Sequence, residues 1–390
     1  MLMKPDSSEA VRIVEKLRAG FPEIDQIPSG SYLVGGCVRD ALMDRPALDV
    51  DFAASSSASV ARQFASRVHS RPIQLGRDAL AVWRVTARDR VYDFADIVGE
   101  SIEADLGRRD FTINAMALEL APEPRLIDPF RGREDLRSRK IRIVSEKNIE
   151  EDPLRILRAV RFAVQLNFEI DQDSFRAMEG RSALLAATAP ERVTYELDLI
   201  LRSSQAARGV DWMARLGLSG FLFGLAHTGS TVSMIGSLKG DTISALYVLL
   251  VHLEDNEIEA YARRWRWSTQ ILRDLLALRR IVDAIRHLAA RSLEVVLYDG
   301  GSAASHRAVE ILRIQGMDEQ AGRVQKILEA RGASLFETEA LLGGHEIQEL
   351  AAVGEGAEVG RLKRLLLEAQ IRGEVTTRDE AAAMVSRARS

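Results

Sequence analysis

The sequence predicts an α/β head built on a mixed sheet, followed by a neck, body and tail made of helices alone. Three observations carry this. A short apolar strand, Tyr32 to Val34, runs into Gly35-Gly36 and is followed by a second strand-like stretch, Leu48-Asp49-Val50-Asp51-Phe52. Further strand-like runs at 73–75, 81–85 and 91–94 all fall in the first part of the chain, and Ile141 to Val144 leads out of it. After Ser203 only helical spacing is found. At 390 residues the chain exceeds one ordinary core, so several domains are expected. The joins are placed to give a head at 1–148, a neck at 149–205, a body at 206–330 and a tail at 331–390.

Taken in order, Val11, Val14, Leu17 and Phe21 recur at helical spacing and stop at Gly20 and Pro22, which marks a packing helix ahead of the first strand. The two glycines allow a tight turn, and Val38 to Met43 has helical character. Backbone N–H groups at that helix start, with Arg39 beside them, form a place to hold phosphate. On a strand, Asp49 and Asp51 share one face while Leu48, Val50 and Phe52 take the other. Two carboxylates held side by side suit a divalent cation, and magnesium is the expected ion. A helix is expected around Val60 to Val68. Asp93, in the run Val91-Tyr92-Asp93-Phe94, is either a third carboxylate beside this pair or a surface strand residue. Taken singly, a Gly-Gly turn and a D-x-D pair are ordinary loop and strand-edge features; their order and spacing here make the stronger signal.

Leu106 to Ala117 reads L-G-R-R-D-F-T-I-N-A-M-A. Arg108 and Arg109 supply charge for phosphates. Asp110 and Asn114, four apart, would lie one above the other on a helix and could bind a ribose hydroxyl. In Glu150-Glu151-Asp152-Pro153-Leu154-Arg155, Asp152 is expected to cap a helix with Pro153 in its first turn. Asp152, Arg155 and Arg158 share one side of that helix, and Ile156, Leu157 and Val160 the other. A carboxylate accepts and a guanidinium donates, so the Asp152/Arg155 pair matches the amino and ring-nitrogen edge that cytosine and adenine share. The bland alternative is an intrahelical ion pair.

G-G-C-V-R-D followed by D-V-D resembles the opening motif of the polymerase-β-like nucleotidyltransferases, and is closest to class II tRNA nucleotidyltransferases and bacterial poly(A) polymerases. R-R-D-F-T-I-N-A-M-A resembles that family's second motif, in which the arginine-aspartate pair contacts the sugar. E-D-P-L-R-I-L-R-A-V-R-F-A is similar to the motif that selects the incoming nucleotide, and Ala189 to Leu197 to the one that buttresses it, with Glu191 and Arg192 carried over. The final segment, from Leu341 through Thr376, resembles the tail of tRNA nucleotidyltransferases.

The resemblance implies two Mg2+ ions on Asp49 and Asp51, Asp93 as the third acidic residue, and CTP, with ATP as a further candidate, as substrate. It also implies a nucleotide site of Gly35, Gly36, Arg39, Arg108, Arg109, Asp110, Asn114, Asp152, Arg155, Arg158 and Arg192, and tRNA as the partner.

Against that pattern, Phe94 to Gly107 lacks the longer arginine- and proline-bearing loop that helps full CCA-adding enzymes pass from reading C to reading A. The expectation is therefore CC addition beside a separate A-adding enzyme. Full CCA addition is the alternative, with poly(A) synthesis or a non-catalytic RNA-binding relative behind it.

Composition bounds the rest. With 53 basic against 57 acidic residues and a net charge of −4, any RNA contact must come from local patches. The arginines 263, 264, 266, 273, 279, 280, 286 and 291, interleaved with Trp265 and Trp267, are either a solvated face over packing tryptophans or a basic face for tRNA phosphates. A single cysteine, Cys37, excludes an intrachain disulfide and a cysteine-zinc cluster. No signal segment or membrane-length apolar run is read, so a soluble, cytoplasmic protein is expected.

Overall fold

The computed structural model describes residues 7–47, 49–76, 81–224, 229–287 and 292–388. The chain forms two compact units, Met1–Ile200 with Gly209–Ala226, and Leu201–Arg208 with His227–Ser390. The segment expected as head and most of that expected as neck thus share the first unit, which also takes in Gly209–Ala226 of the segment expected as body, while 201–208 belong to the second.

In the first unit, helix α1 (Ser7–Gly20) precedes strand β1 (Tyr32–Val34), helix α2 (Gly36–Leu42), strand β2 (Val50–Ala54) and helix α3 (Ser57–Arg67). Three strands follow, β3 (Pro72–Leu75), β4 (Val82–Ala87) and β5 (Arg90–Asp96), then helix α4 (Ile102–Gly107). Strands β6 (Ala117–Glu119) and β7 (Arg125–Ile127) complete a seven-stranded sheet ordered β3-β4-β5-β2-β1-β6-β7. All its pairings are antiparallel except β2 with β5.

Register positions the chemistry. Val34 pairs with Asp51 across β1 and β2, so the turn at Gly35 emerges beside the D-x-D stretch. Asp51 pairs with Asp93 across β2 and β5. Strand alternation sends Val50 and Phe52 into the core, where Phe52 stacks on Phe94 with centroids 4.9 Å apart and Phe64 tilts against Tyr92. Asp51, between them in sequence, faces the opposite side. Leu48 lies outside the described residues.

Helix α5 (Gly132–Ser138) and strand β8 (Lys140–Ile141) lead to helix α6 (Glu146–Glu151) and helix α7 (Arg155–Leu166). Strand β9 (Glu169–Ile170) pairs in parallel with β8, and helices α8 (Gln172–Met178) and α9 (Pro190–Leu201) follow. The expected cap at Asp152 is corrected here. A residue before proline is pushed out of the helical region, and Asp152 (φ −140°, ψ 89°) ends α6 instead. Its carbonyl, not its carboxylate, accepts the Arg155 N–H that opens α7.

The second unit is helical throughout its described residues. Helices Thr269–Arg286 and Ser302–Ile314 bury Leu278, Ile281, Ala308 and Ile311. A separate small core of Leu342, Ile347, Leu362, Leu366 and Val385 holds the last helices together. Trp265 is buried and Arg264 lies over its ring, while Arg263, Arg266, Arg273, Arg280 and Arg286 are exposed. Arg291 lies outside the described residues. No helix among the described residues is long and apolar enough to cross a membrane.

Candidate active site

A cleft of about 630 Å³ in the first unit is lined by Gly35, Gly36, Arg39, Asp49 and Asp51 on the sheet side, and by Asp152, Arg155, Arg158, Arg161, Phe162 and Arg192 on the helical side. The segment 105–114 closes it through Asp105, Arg108, Arg109, Asp110 and Asn114. Of the residues expected from sequence, Asp93 and Glu191 lie outside this lining. Seven arginines and five aspartates face the cleft, so a chain of net negative charge carries a locally basic hollow.

On the sheet side, Gly35 has φ +75°, and a Cβ there would come within 2.9 Å of the Arg109 guanidinium. The positive φ is what calls for glycine here; the Arg109 side chain is flexible at its end and could move aside from a Cβ. Asp49 stands just before β2 and is exposed, whereas Asp51 is half-buried. Burial, followed by the negative charges of Asp49 and Asp93, pushes the Asp51 carboxyl up to about 6. Asp93 gives both carboxylate oxygens to Arg84, at 2.8 and 2.7 Å. Among the described residues no three acidic, histidine or cysteine side chains form a metal cage.

The helical side is wired. Asp110 is buried and accepts from Phe111 N (2.8 Å) and Asn114 Nδ2 (3.0 Å) on one oxygen, and from Arg158 Nε (3.0 Å) and Nη2 (2.6 Å) on the other. Burial alone would raise its carboxyl; the Arg158 charge and these donors outweigh burial and hold it below the usual range. Asn114 Oδ1 accepts from Arg39 Nη1 at 2.7 Å, and Arg39 also forks onto Asp40. The expected α-helical stacking of Asp110 over Asn114 is replaced by a 3-10 turn at Thr112–Asn114, which brings the same two side chains together.

The Asp152/Arg155 ion pair is not formed. Asp152 is bound by Arg192 through two bonds of 3.3 and 2.9 Å, and Arg155 donates to the Arg108 carbonyl at 2.7 Å. Arg108 itself is exposed and, among the described residues, has no hydrogen-bond or ion-pair partner for its guanidinium.

Several residues join the site that sequence reasoning gave no role. Glu196, buried on α9, accepts from Arg161 Nε at 2.5 Å and lies 3.5 Å from Arg158. Phe162 carries three guanidinium groups around its ring: Arg161 at 4.1 Å, Arg39 at 5.1 Å and Arg158 at 5.5 Å. Asp105 binds Arg109 and the Val98 N–H. Asn148 donates to the carbonyls of Gly107 and Arg109, at 2.8 and 2.9 Å. The one-turn spacing from Arg158 to Arg161 was a usable signal for Arg161; Glu196, Asp105 and Asn148 carried none.

Carboxylates at the central strand of a sheet, opposite a helix offering ordered guanidiniums, form the layout of an enzyme that handles a nucleotide. Residues 31–142 match the model of the poly A polymerase head domain, and residues 167–227 that of the probable RNA and SrmB-binding site of polymerase A. The chain is 30% identical to the A-adding tRNA nucleotidyltransferase of Deinococcus radiodurans, over 94% of this chain and 97% of the relative. It is also 30% identical to the CCA-adding enzyme of Geobacillus stearothermophilus, over 97% and 96% of the two chains. The solved Bacillus stearothermophilus CCA-adding enzyme in complex with CTP superposes with a TM-score of 0.75 at 28% identity, covering 99% of this chain and 98% of that one. The chain belongs to the class II tRNA nucleotidyltransferase family, enzymes of nucleotidyl transfer to a tRNA 3′-hydroxyl.

Proposed function

We propose that this enzyme adds cytidines, two in succession, to the 3′ end of tRNA without a template, using CTP, and leaves the terminal adenosine to a separate A-adding enzyme. The observation that carries the CC-only reading is the connection between β5 and α4. Ile97 N–H bonds to the Ala54 carbonyl (2.9 Å), Val98 N–H to the Asp105 carboxylate (3.1 Å), and Ser101 caps α4. A connection this short and this tied down has no lever with which to favour a second, adenine-reading arrangement of the cleft.

Asp49 and Asp51 would hold the magnesium ions that the family resemblance implies. Hard carboxylate oxygens suit that ion, and a cation would relieve the repulsion that raises the Asp51 carboxyl. When bound, the ions would neutralise charge on the attacking hydroxyl and on the triphosphate. The Arg108 guanidinium, with no partner among the described residues, is the readiest group to meet the triphosphate, alongside Arg109 and the turn at Gly35 and Gly36. Asp152 and Arg155 would read the base edge once Arg192 and the Arg108 carbonyl release them, and Arg158 would keep Asp110 and Asn114 set against the sugar.

A second reading is favoured by the relatives: one is named for A addition and another for CCA addition. One experiment separates the three. Purified protein is given tRNA ending at the discriminator base, or ending in CC, with CTP, ATP or both. The CC-adding reading expects two cytidines on the first substrate and no addition to the second. Efficient addition of A to tRNA ending in CC overturns it, and whether CTP is also used then distinguishes full CCA addition from A addition.

A further inference from the structure

We infer that Tyr195 is a stacking platform for the 3′-terminal base of the RNA being extended. This rests on the tRNA-extending activity proposed above and adds to it a contact with the acceptor strand. A singly exposed apolar side chain is ordinary on a protein surface, so the case is made by position. Tyr195 is 63% exposed, the most exposed of the large apolar side chains among the described residues and the one aromatic ring among the exposed ones. It has no hydrogen-bond or ring partner among the described residues, so its ring is available.

Tyr195 lies on α9, one turn beyond Arg192, and adjacent turns of a helix share a face. Arg192 lines the cleft and grips Asp152, while Glu196, the next residue after Tyr195, points inward to Arg161. At about 100° per residue, Tyr195 is therefore turned about 60° from Arg192 and about 100° from the inward-facing Glu196. That places the ring at the cleft rim, with Arg192 between it and the base-reading carboxylate. An RNA end reaching the cleft brings unpaired bases past this rim. Single-stranded nucleic acid is commonly held by aromatic rings that accept any base, beside guanidiniums that follow the backbone. A platform indifferent to base identity suits an acceptor end whose last base changes with each addition.

The test compares wild type with Tyr195→Ala and Tyr195→Phe, in both turnover and binding. Tyr195→Ala should raise KM for tRNA roughly tenfold to a hundredfold, leave KM for CTP unchanged, and be restored by Tyr195→Phe. A tRNA carrying 2-aminopurine as its last base should be quenched on binding wild type and Tyr195→Phe, and less so on Tyr195→Ala. The fluorescence needs binding only, so it reads the stack even if the nucleotide preference proposed above fails. Unchanged tRNA KM and quenching in Tyr195→Ala overturn the inference. So does a rise confined to KM for CTP, or loss of both signals in Tyr195→Phe.

Discussion

The two walls of the cleft are built on opposite principles. On the sheet wall, Asp49 and Asp51 are brought together with no ion pair to either carboxylate among the described residues, and burial and mutual repulsion outweigh the nearby Arg109 and Arg84 and drive Asp51 toward protonation. On the helical wall nearly every charge is matched: Asp110 with Arg158, Glu196 with Arg161, Asp152 with Arg192. One wall stores repulsion that an incoming cation can relieve, and the other stores order. The contrast teaches that the two walls fail differently. Loss of a group from the first should cost activity and spare the fold, while loss from the second should cost both or blur selectivity.

The largest effect is expected at Asp51. Asp51→Asn should lower turnover by ~10²–10³-fold or more, the range for removing a group that stabilises developing charge, while tRNA binding persists. The same variant should be more stable than wild type in chelator at neutral pH. The Asp51 carboxyl is raised in the folded protein, so its stabilising contribution is present below the unfolded value of 3.8 and is lost as pH rises through about 6. The stability gap between variant and wild type should therefore close as pH falls toward 4, and added magnesium should stabilise wild type alone. Denaturant midpoints across that pH range check both signs, and a variant less stable than wild type at pH 7 in chelator would contradict the account of this wall.

The helical wall is broken most sharply at Glu196. Glu196→Ala leaves Arg158 and Arg161 without their shared buried carboxylate, and urea unfolding should show a loss of about 3 kcal/mol. Unchanged stability would mean that the network is ornamental.

A smaller effect, at Arg155, sharpens the comparison. If the guanidinium reads the base, Arg155→Ala should reduce the preference for CTP over UTP by roughly tenfold to a hundredfold in kcat/KM. If it serves only to hold the Arg108 carbonyl, all nucleotides should lose rate alike and the preference should stand.

What could be read from the chain follows the same division. The sheet wall is local: a strand, a glycine turn and alternating residues are visible at period two, and Gly35, Asp49 and Asp51 stand together as their spacing suggests. The helical wall is assembled from residues far apart in sequence, and no spacing rule reports that Asp152 is taken by Arg192 or Asp110 by Arg158. A local rule names only a local partner, and for Asp152 the partner is distant. Asp152 looked like a cap because capping residues precede prolines at helix starts, yet its carboxylate is taken by Arg192 and only its carbonyl meets the start of α7. Asp110 and Asn114 meet as expected, but through a tighter turn than an α-helix. Glu196 was indistinguishable from any charged residue on an amphipathic helix until its partners were in place.

The chain's one thiol has a practical consequence. Cys37 sits in the first turn of α2 beneath the carboxylates, is 2% exposed, donates to the Val34 carbonyl at 3.4 Å, and is pushed up to about 12 by burial and by Asp51 and Asp49. A thiol so placed is almost never a thiolate at neutral pH and is closed to alkylating reagents. The molecule therefore behaves toward maleimides as though it had no cysteine. A single cysteine introduced on an exposed helix of the second unit would accept a dye or spin label cleanly, with no background substitution needed near the carboxylates.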